Sequence, residues 1–231
     1  MAKQPVPGTV KTRLCPPLTP LAAAELYGAF LRDTVLNVSG IRDADCFVAY
    51  DPETAGDFFS RMAPERVRCI AQGDGDLGGK LSGIAERLFS MGYGKVILMG
   101  SDTPHLPAEY LTKALRRLDF RDVVLGPCDD GGYYLIGSRQ HLPALFSDMP
   151  WSTSRVLSMT LERTRGKGLS GYLLPVWYDL DTIEDVRRLA GDMASYTGGY
   201  QFTCPRTERA IAGLGEVLGA GSHTEETTWR K

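Results

Sequence analysis

No run of apolar residues in this 231-residue chain is long enough to span a membrane. Its opening lacks the apolar core of a signal peptide, because Met1 leads straight into a polar, proline-rich stretch. A strong charge of one sign is also lacking: a net charge of −2 argues against a broad nucleic-acid surface. The cysteines form no close pairs. Cys15, Cys46, Cys69, Cys128 and Cys204 are scattered, and an odd count without CxxC spacing argues against a disulfide framework and against a zinc site. Cys46 and Cys69 fall in apolar, strand-like runs and read as core. Reduced thiols of this kind place the expected protein in the cytoplasm.

Histidine is scarce as well. His105 follows a turn of interest, whereas His141 and His223 read as surface residues, and no Ser-His-Asp ordering or nucleophile elbow stands out. GxxxxGK[ST] does not occur, so a Walker A loop is absent. The hydrophobic share of 43% and charged share of 23% are those of an ordinary soluble globular chain. Its length suits one large α/β domain or two small ones and is enough to bury a real core.

Strand-like and helix-like patterns alternate. Strands are expected at 46–50, 67–71, 96–99, 123–125, 133–136 and 172–176. Helices are expected at 21–38, 77–91, 107–118, 153–164 and 183–193, the fourth capped by Ser152 or Thr153 and the last started by Asp181 or Thr182. This alternation predicts a mainly parallel sheet covered on both faces. The strands at 123–125 and 133–136 leave no room for a crossover helix, so they pair antiparallel or form a second small sheet. Residues 1–195 read as a single domain. Residues 196–231 read as a loose tail in which 210–218 is a candidate short helix.

The run from Val96 to Pro104 is the most informative. An apolar strand leads into Gly100 and Ser101, and Asp102 appears where the strand ends. Ligands of open α/β sheets bind outside the carboxyl ends of the strands. A carboxylate there suits a hard divalent cation carrying phosphate oxygens, and equally suits the cap of a following helix. Four other segments carry chemistry. In Lys3 to Leu14, Lys3, Lys11 and Arg13 surround a Pro7-Gly8 turn, and no acid occurs before Glu25, as in an anion site or a solvated basic loop. Gln72 to Leu81 is glycine-rich and opens a helix. Its glycines let backbone approach a ligand, and its acids suit a cap, a base or a ribose. Gly126 to Gly137 places a glycine pair between acids and aromatics, as in an acceptor pocket or a plain hairpin turn. In Trp177 to Asp185, Asp179 and Asp181 point the same way if extended, which suits a second carboxylate for the same metal, or Asp181 caps the last helix.

Taken in order, KQPVPGTVKTRL, QGDGDLGGKL, GSDTPHLP, GPCDDGGYYLIG, the Trp151-Ser152-Thr153 turn and YDLDTIEDVRRL resemble a bacterial family of GT-A-type nucleotide-diphospho-sugar transferases or glycosyltransferases. The family is related in fold to molybdenum cofactor guanylyltransferase and phospholactate guanylyltransferase, and the resemblance spans about residues 2–189. It implies a GT-A, Rossmann-like α/β/α fold. It implies nucleotide binding by Lys3, Pro7, Gly8, Lys11, Arg13, Gln72, Gly73, Asp76, Gly78 and Ser101. Asp130, Gly131, Gly132 and Tyr133 would lie beside the acceptor or sugar. Asp102, Asp181 and Asp179 would hold Mg2+ or Mn2+, with Asp102, Lys11 and Arg13 as the catalytic group.

The implied partners are a nucleotide or nucleotide-sugar donor and a small-molecule acceptor, with a homodimer as a candidate assembly. The implied reaction is metal-dependent transfer, most simply glycosyl transfer. Nucleotidyl transfer with release of pyrophosphate, and nucleotide binding without turnover, are the alternatives. One departure stands out. Such proteins begin with an apolar strand before the first loop, and only Met1 and Ala2 precede Lys3 here. A first strand missing from the sheet, with a start site upstream, is therefore expected.

Overall fold

A computed structural model describes residues 1–195 and 204–219. Among the described residues seven strands are interleaved with helices, except that β6 follows β5 directly. They are β1 (Ala2–Lys3), α1 (Pro20–Ser39), β2 (Cys46–Asp51), α2 (Gly56–Met62), β3 (Val67–Ala71), α3 (Leu77–Ser90), β4 (Val96–Met99), α4 (Ala108–Arg117), β5 (Val123–Pro127), β6 (Tyr133–Ser138), α5 (Val156–Gly166), β7 (Gly171–Leu173), α6 (Ile183–Ala194), α7 (Pro205–Ala212) and α8 (Gly215–Gly219). No described helix is long and apolar enough to cross a membrane.

Local chemistry explains the main boundaries. Thr19 caps α1 by accepting from the Ala22 amide at 3.2 Å, and Pro20 occupies the first turn, where no backbone N–H is needed. Asp76 caps α3 through the Gly79 amide at 2.8 Å. Thr182 and Asp185 form a reciprocal capping box at the start of α6.

The strands form two sheets. In the first, β1, β2 and β3 are parallel. In the second, the order is β4-β6-β5-β7, with β6 antiparallel to both of its neighbours and β5 parallel to β7. Only residues 128–132 separate β5 from β6, too few for a crossover. The strand pairs β5 with β4 by inserting between them. Helices cover both faces: Leu31 and Val35 of α1 pack with Cys46 and Val48, while Ile84 and Leu88 of α3 pack with Ala49, Val96 and Leu98.

β1 is only two residues long and pairs only with Tyr50 and Asp51 of β2. The rest of that edge of β2 faces the outer edge of β4 across a cleft. At one end of the cleft the Met1 ammonium donates to the Met99 carbonyl at 2.8 Å.

Three expectations are corrected. The helix expected from Thr153 starts at Val156, because Ser152 takes a left-handed backbone (φ 63°) and the Thr153 hydroxyl donates to the Pro150 carbonyl at 2.7 Å, closing a turn. The strand expected over 172–176 ends at Leu173. The C-terminal region is not wholly loose: Cys204 and Ile211 are buried, and α7 packs on α1. The fully buried Asp33 of α1 accepts from the Thr207 amide at 2.7 Å and from Arg206 at 3.3 Å, so a carboxylate sits at the positive end of α7. Residues 196–203 and 220–231 lie outside the described residues. Helix α2, at seven residues, is too short to have shown a period in the sequence.

Candidate active site

The loop after β1 is pinned by apolar residues and shaped by its turn residues. Gly8 takes φ 80°, and Val10 and Leu14 are buried against Leu180 and Ile183. Between them Lys11 adopts a left-handed backbone (φ 49°), a conformation that costs a non-glycine residue roughly 1 kcal/mol or more and tends to mark functional positions. This bend turns the side chain inward. The Lys11 ammonium lies 2.7 Å from Asp102 Oδ1 and 2.6 Å from Asp181 Oδ1. Its side chain is 5% exposed, whereas those of the two acids are 36% and 38% exposed. One lysine nitrogen therefore joins two carboxylates on the solvent side of the sheet rim.

Neither acid serves as a helix cap. α4 starts at Ala108 with Pro107 as its N-cap, so Asp102 lies well before it. At α6 the capping side chain is that of Thr182, and Asp185 Oδ2 accepts from the Asp181 amide at 3.1 Å. The Asp181 carboxylate is thereby left for Lys11. The two segments are joined where the Leu180 amide donates to the Asp102 carbonyl at 3.0 Å.

Burial alone would lower the Lys11 pKa. The charges of Asp102 and Asp181, and the hydrogen bonds they accept, outweigh burial and raise it well above the lysine range. Asp179 behaves in the opposite way. Burial, reinforced by the charges of Asp102 and Asp181, pushes its carboxyl up to about 7, against the lowering effects of Lys11 and of the Cys128 thiol hydrogen-bonded to it. Cys128 pairs with Trp177 in an isolated parallel bridge, and the Asp129 amide donates to the Trp177 carbonyl at 3.2 Å. The loop after β5 is thus laid beside the acid segment. Arg188 crosses the same rim, 2.7 Å from Asp129 and 3.7 Å from the centre of the Tyr178 ring.

The remaining candidate residues divide by what they touch. Arg13 is exposed and approaches Asp181 at 3.6 Å. Lys3 is exposed, and its amide donates to the Tyr27 hydroxyl at 3.0 Å. Pro7, Gly8 and Gly73 lie on open loop surface. Ser101 is buried and shares a 2.8 Å hydrogen bond with Tyr27. The Gln72 amide is already engaged, donating to the carbonyls of Ala2 at 3.1 Å and Ala49 at 2.7 Å, so it ties β1 to β2. Asp76 is occupied as a cap. Gly78 is small for a packing reason, since a Cβ there would overlap the Phe146 carbonyl oxygen.

In the last loop, Asp130 Oδ1 accepts from the Gly132 amide at 2.8 Å. Gly131 takes φ 89°, and a Cβ there would overlap the Ser154 backbone. The Tyr133 ring is half-buried, 6.3 Å from Trp151, and burial pushes its hydroxyl pKa up. His105 is buried beside Tyr178 and held near 3 by burial and by Arg188, so it is neutral.

Two residues with no role assigned from the sequence also belong to this rim. The Tyr27 hydroxyl joins the first loop to Ser101, but in sequence Tyr27 is only one apolar position on a helix face. Lys80 pairs with Asp51 at 3.1 Å at the end of β2, and its place in the glycine-rich segment was the only hint.

A divalent cation fits the donor set. Hard carboxylate oxygens of Asp102 and Asp181 already share one cation, the Lys11 ammonium. Mg2+ is commonly held by one or two carboxylates together with substrate phosphates rather than by an all-protein cage. Among the described residues no group of three or more His, Cys, Asp or Glu side chains forms such a cage.

Residues 34–153 match the family model described as "Uncharacterized protein conserved in bacteria (DUF2064)". A crystal structure of a candidate nucleotide-diphospho-sugar transferase from Desulfovibrio desulfuricans G20 is 32% identical, with a TM-score of 0.84 over 95% of this chain and 94% of that one. The chain belongs to the DUF2064 family. It shares its architecture with that transferase, and its α/β fold with a mixed second sheet is the nucleotide-diphospho-sugar transferase fold.

More distant likenesses show the same fold. One is CMP:2-keto-3-deoxy-manno-octonic acid synthetase complexed with CTP, 12% identical with a TM-score of 0.52 over 71% of this chain and 87% of that one. Another is a cytidylyltransferase from Leptospira borgpetersenii serovar Hardjo-bovis (strain JB197), 14% identical with a TM-score of 0.52 over 87% and 88%. No curated protein matches the chain.

Proposed function

We propose that this DUF2064 protein is a metal-dependent transferase that moves a sugar from a nucleotide-diphospho-sugar to a small-molecule acceptor. The observation that carries this reading is the pair of carboxylates, Asp102 and Asp181, that converge on one cation at the carboxyl end of β4. The likeness to a candidate nucleotide-diphospho-sugar transferase at 32% identity favours glycosyl over nucleotidyl transfer.

In the reaction, an acceptor oxygen forms a bond to the anomeric carbon. The bond from that carbon to the phosphate oxygen breaks, its electron pair leaves with the nucleoside diphosphate, and the acceptor proton passes to solvent. Bound Mg2+ or Mn2+ would neutralise charge on the diphosphate. Asp102 and Asp181 would hold that cation. Lys11, released from one of its carboxylates, and the exposed Arg13 would meet phosphate oxygens, so that catalysis is chiefly positioning and electrostatics. The loop of Asp130 to Tyr133, laid beside Asp179, would border the acceptor.

The experiment is a screen of nucleotide sugars and nucleoside triphosphates with Mn2+, followed by phosphorus NMR. Release of a nucleoside diphosphate is expected, and Asp102→Asn should lower turnover about 100-fold or more. Release of pyrophosphate would replace glycosyl by nucleotidyl transfer. No metal-dependent turnover with any donor would overturn the reading.

A further inference from the structure

The seat between Asp102 and Asp181 is already filled from within the chain. Lys11 Nζ lies 2.7 Å from Oδ1 of the first acid and 2.6 Å from Oδ1 of the second. Oδ2 of Asp181 is turned toward the Arg13 guanidinium at 3.6 Å. Three of the four carboxylate oxygens therefore face a positive group. A magnesium-sized cation held by both acids would need oxygens at about 2.1 Å, among them ones that the ammonium now holds. The two cations would be near neighbours away from bulk water, where their repulsion is strong. One must withdraw as the other enters.

Lys11 is poorly placed to withdraw into solvent. Its side chain is 5% exposed, and its backbone is held in the left-handed region at φ 49° and ψ 38°, between the buried Val10 and Leu14. An ammonium pushed off its carboxylates here would be left buried and unpaired, which is costly unless another anion replaces them.

The acids set the complementary condition. Asp102 and Asp181 are 36% and 38% exposed, so an anion reaching the rim by itself meets two carboxylates. A metal–diphosphate complex satisfies both conditions. Its cation takes the carboxylates, and its phosphate oxygens take the ammonium in charge-assisted hydrogen bonds.

We propose that Lys11 is an interlock that loads metal and diphosphate together: the ammonium yields Asp102 and Asp181 to an incoming divalent cation and takes up the phosphate oxygens that arrive with it. The site thereby selects the metal complex of its donor over the free cation and over the free nucleotide. Because coupling between two ligands is reciprocal, each raises the affinity of the other by the same factor. The inference rests on the metal-dependent reading above, but not on which bond of the donor is broken.

The test is equilibrium dialysis of the full 231-residue chain against Mn2+, with and without inorganic pyrophosphate in both compartments. The quantity read is the Mn2+ held in excess of a protein-free control. The parent should bind Mn2+ weakly alone and about tenfold or more tighter with pyrophosphate. Lys11→Met and Lys11→Gln, either of which serves if the other fails to fold, should bind Mn2+ alone about tenfold tighter than the parent and gain less from pyrophosphate. Equally tight Mn2+ binding by the parent with and without pyrophosphate would overturn the interlock and leave the metal-dependent reading standing. So would a folded variant that binds Mn2+ alone no more tightly than the parent while the parent binds it with pyrophosphate. If none of the three proteins holds Mn2+ in either condition, both the interlock and the metal-dependent reading fall.

Discussion

The Lys11 ammonium stands 2.6 Å from Oδ1 of Asp181, a residue 170 positions further along the chain. Because the same nitrogen also touches Asp102, it neutralises two acids that would otherwise repel across the rim. Lys11→Met should remove this shared cation from both and leave Asp181 only the exposed Arg13 at 3.6 Å. The penalty expected is about 2 kcal/mol, less than for a fully buried pair because each acid is more than a third exposed. Mn2+ should restore much of that loss in the variant and act less on the parent. Thermal melts with and without Mn2+ measure both effects.

Asp179 gives the fold a pH dependence of known sign. Its folded carboxyl is raised to about 7 from an ordinary 3.8. The folded state therefore holds a proton that the unfolded chain has released between those values. Asp179 is harmless below pH 4, and stability falls as pH rises from about 4 to about 7 and levels off above, where both states are ionised. Asp179→Asn should remove this decline, stabilising the protein on the order of 4 kcal/mol at pH 8 and changing little at pH 4. Urea melts at the two pH values give the comparison.

Gly78→Ala separates packing from ligand contact. The added methyl group would press on the Phe146 carbonyl, a backbone atom that cannot rotate away. A loss of about 1–3 kcal/mol is expected, with Mn2+ affinity unchanged. A fall in Mn2+ affinity without a fall in melting temperature would place Gly78 at the ligand instead.

Asp33→Ala removes the acceptor for the Thr207 amide and the partner of Arg206. The expected cost is about 1–3 kcal/mol, from an unsatisfied amide at a helix start and a lost charge-assisted bond. Urea melts of the variant and the parent measure the loss.

Much of this was legible in the sequence because it was written in local chemistry. The runs at 67–71 and 96–99 are short apolar strands bounded by turns, and the structure places them there without change. The antiparallel strand at 133 followed from the short connection alone. Two ambiguities needed three dimensions. Whether Asp102 and Asp181 were caps or site residues depended on where α4 and α6 begin, and on Lys11 reaching across from the other end of the chain. What Gln72 and Gly78 touch was also hidden: one bonds the carbonyls of Ala2 and Ala49, and the other, in the first turn of α3, faces the Phe146 carbonyl. The docking of α7 was hidden for a similar reason: its anchor, Asp33, is an acid in the middle of an apolar helix, and its partner lies beyond residue 200.

Helix α1 carries Asp33 at one point and Tyr27 six residues earlier, about 9 Å along its axis. The first holds the C-terminal helices and the second holds Ser101 and the start of the loop after β1. A single rigid rod therefore joins the C-terminal helices to the rim of the candidate site. Cutting the chain after Ser195 should register as a displaced tyrosine hydroxyl beside Asp102, a mechanical effect at a distance from any residue removed.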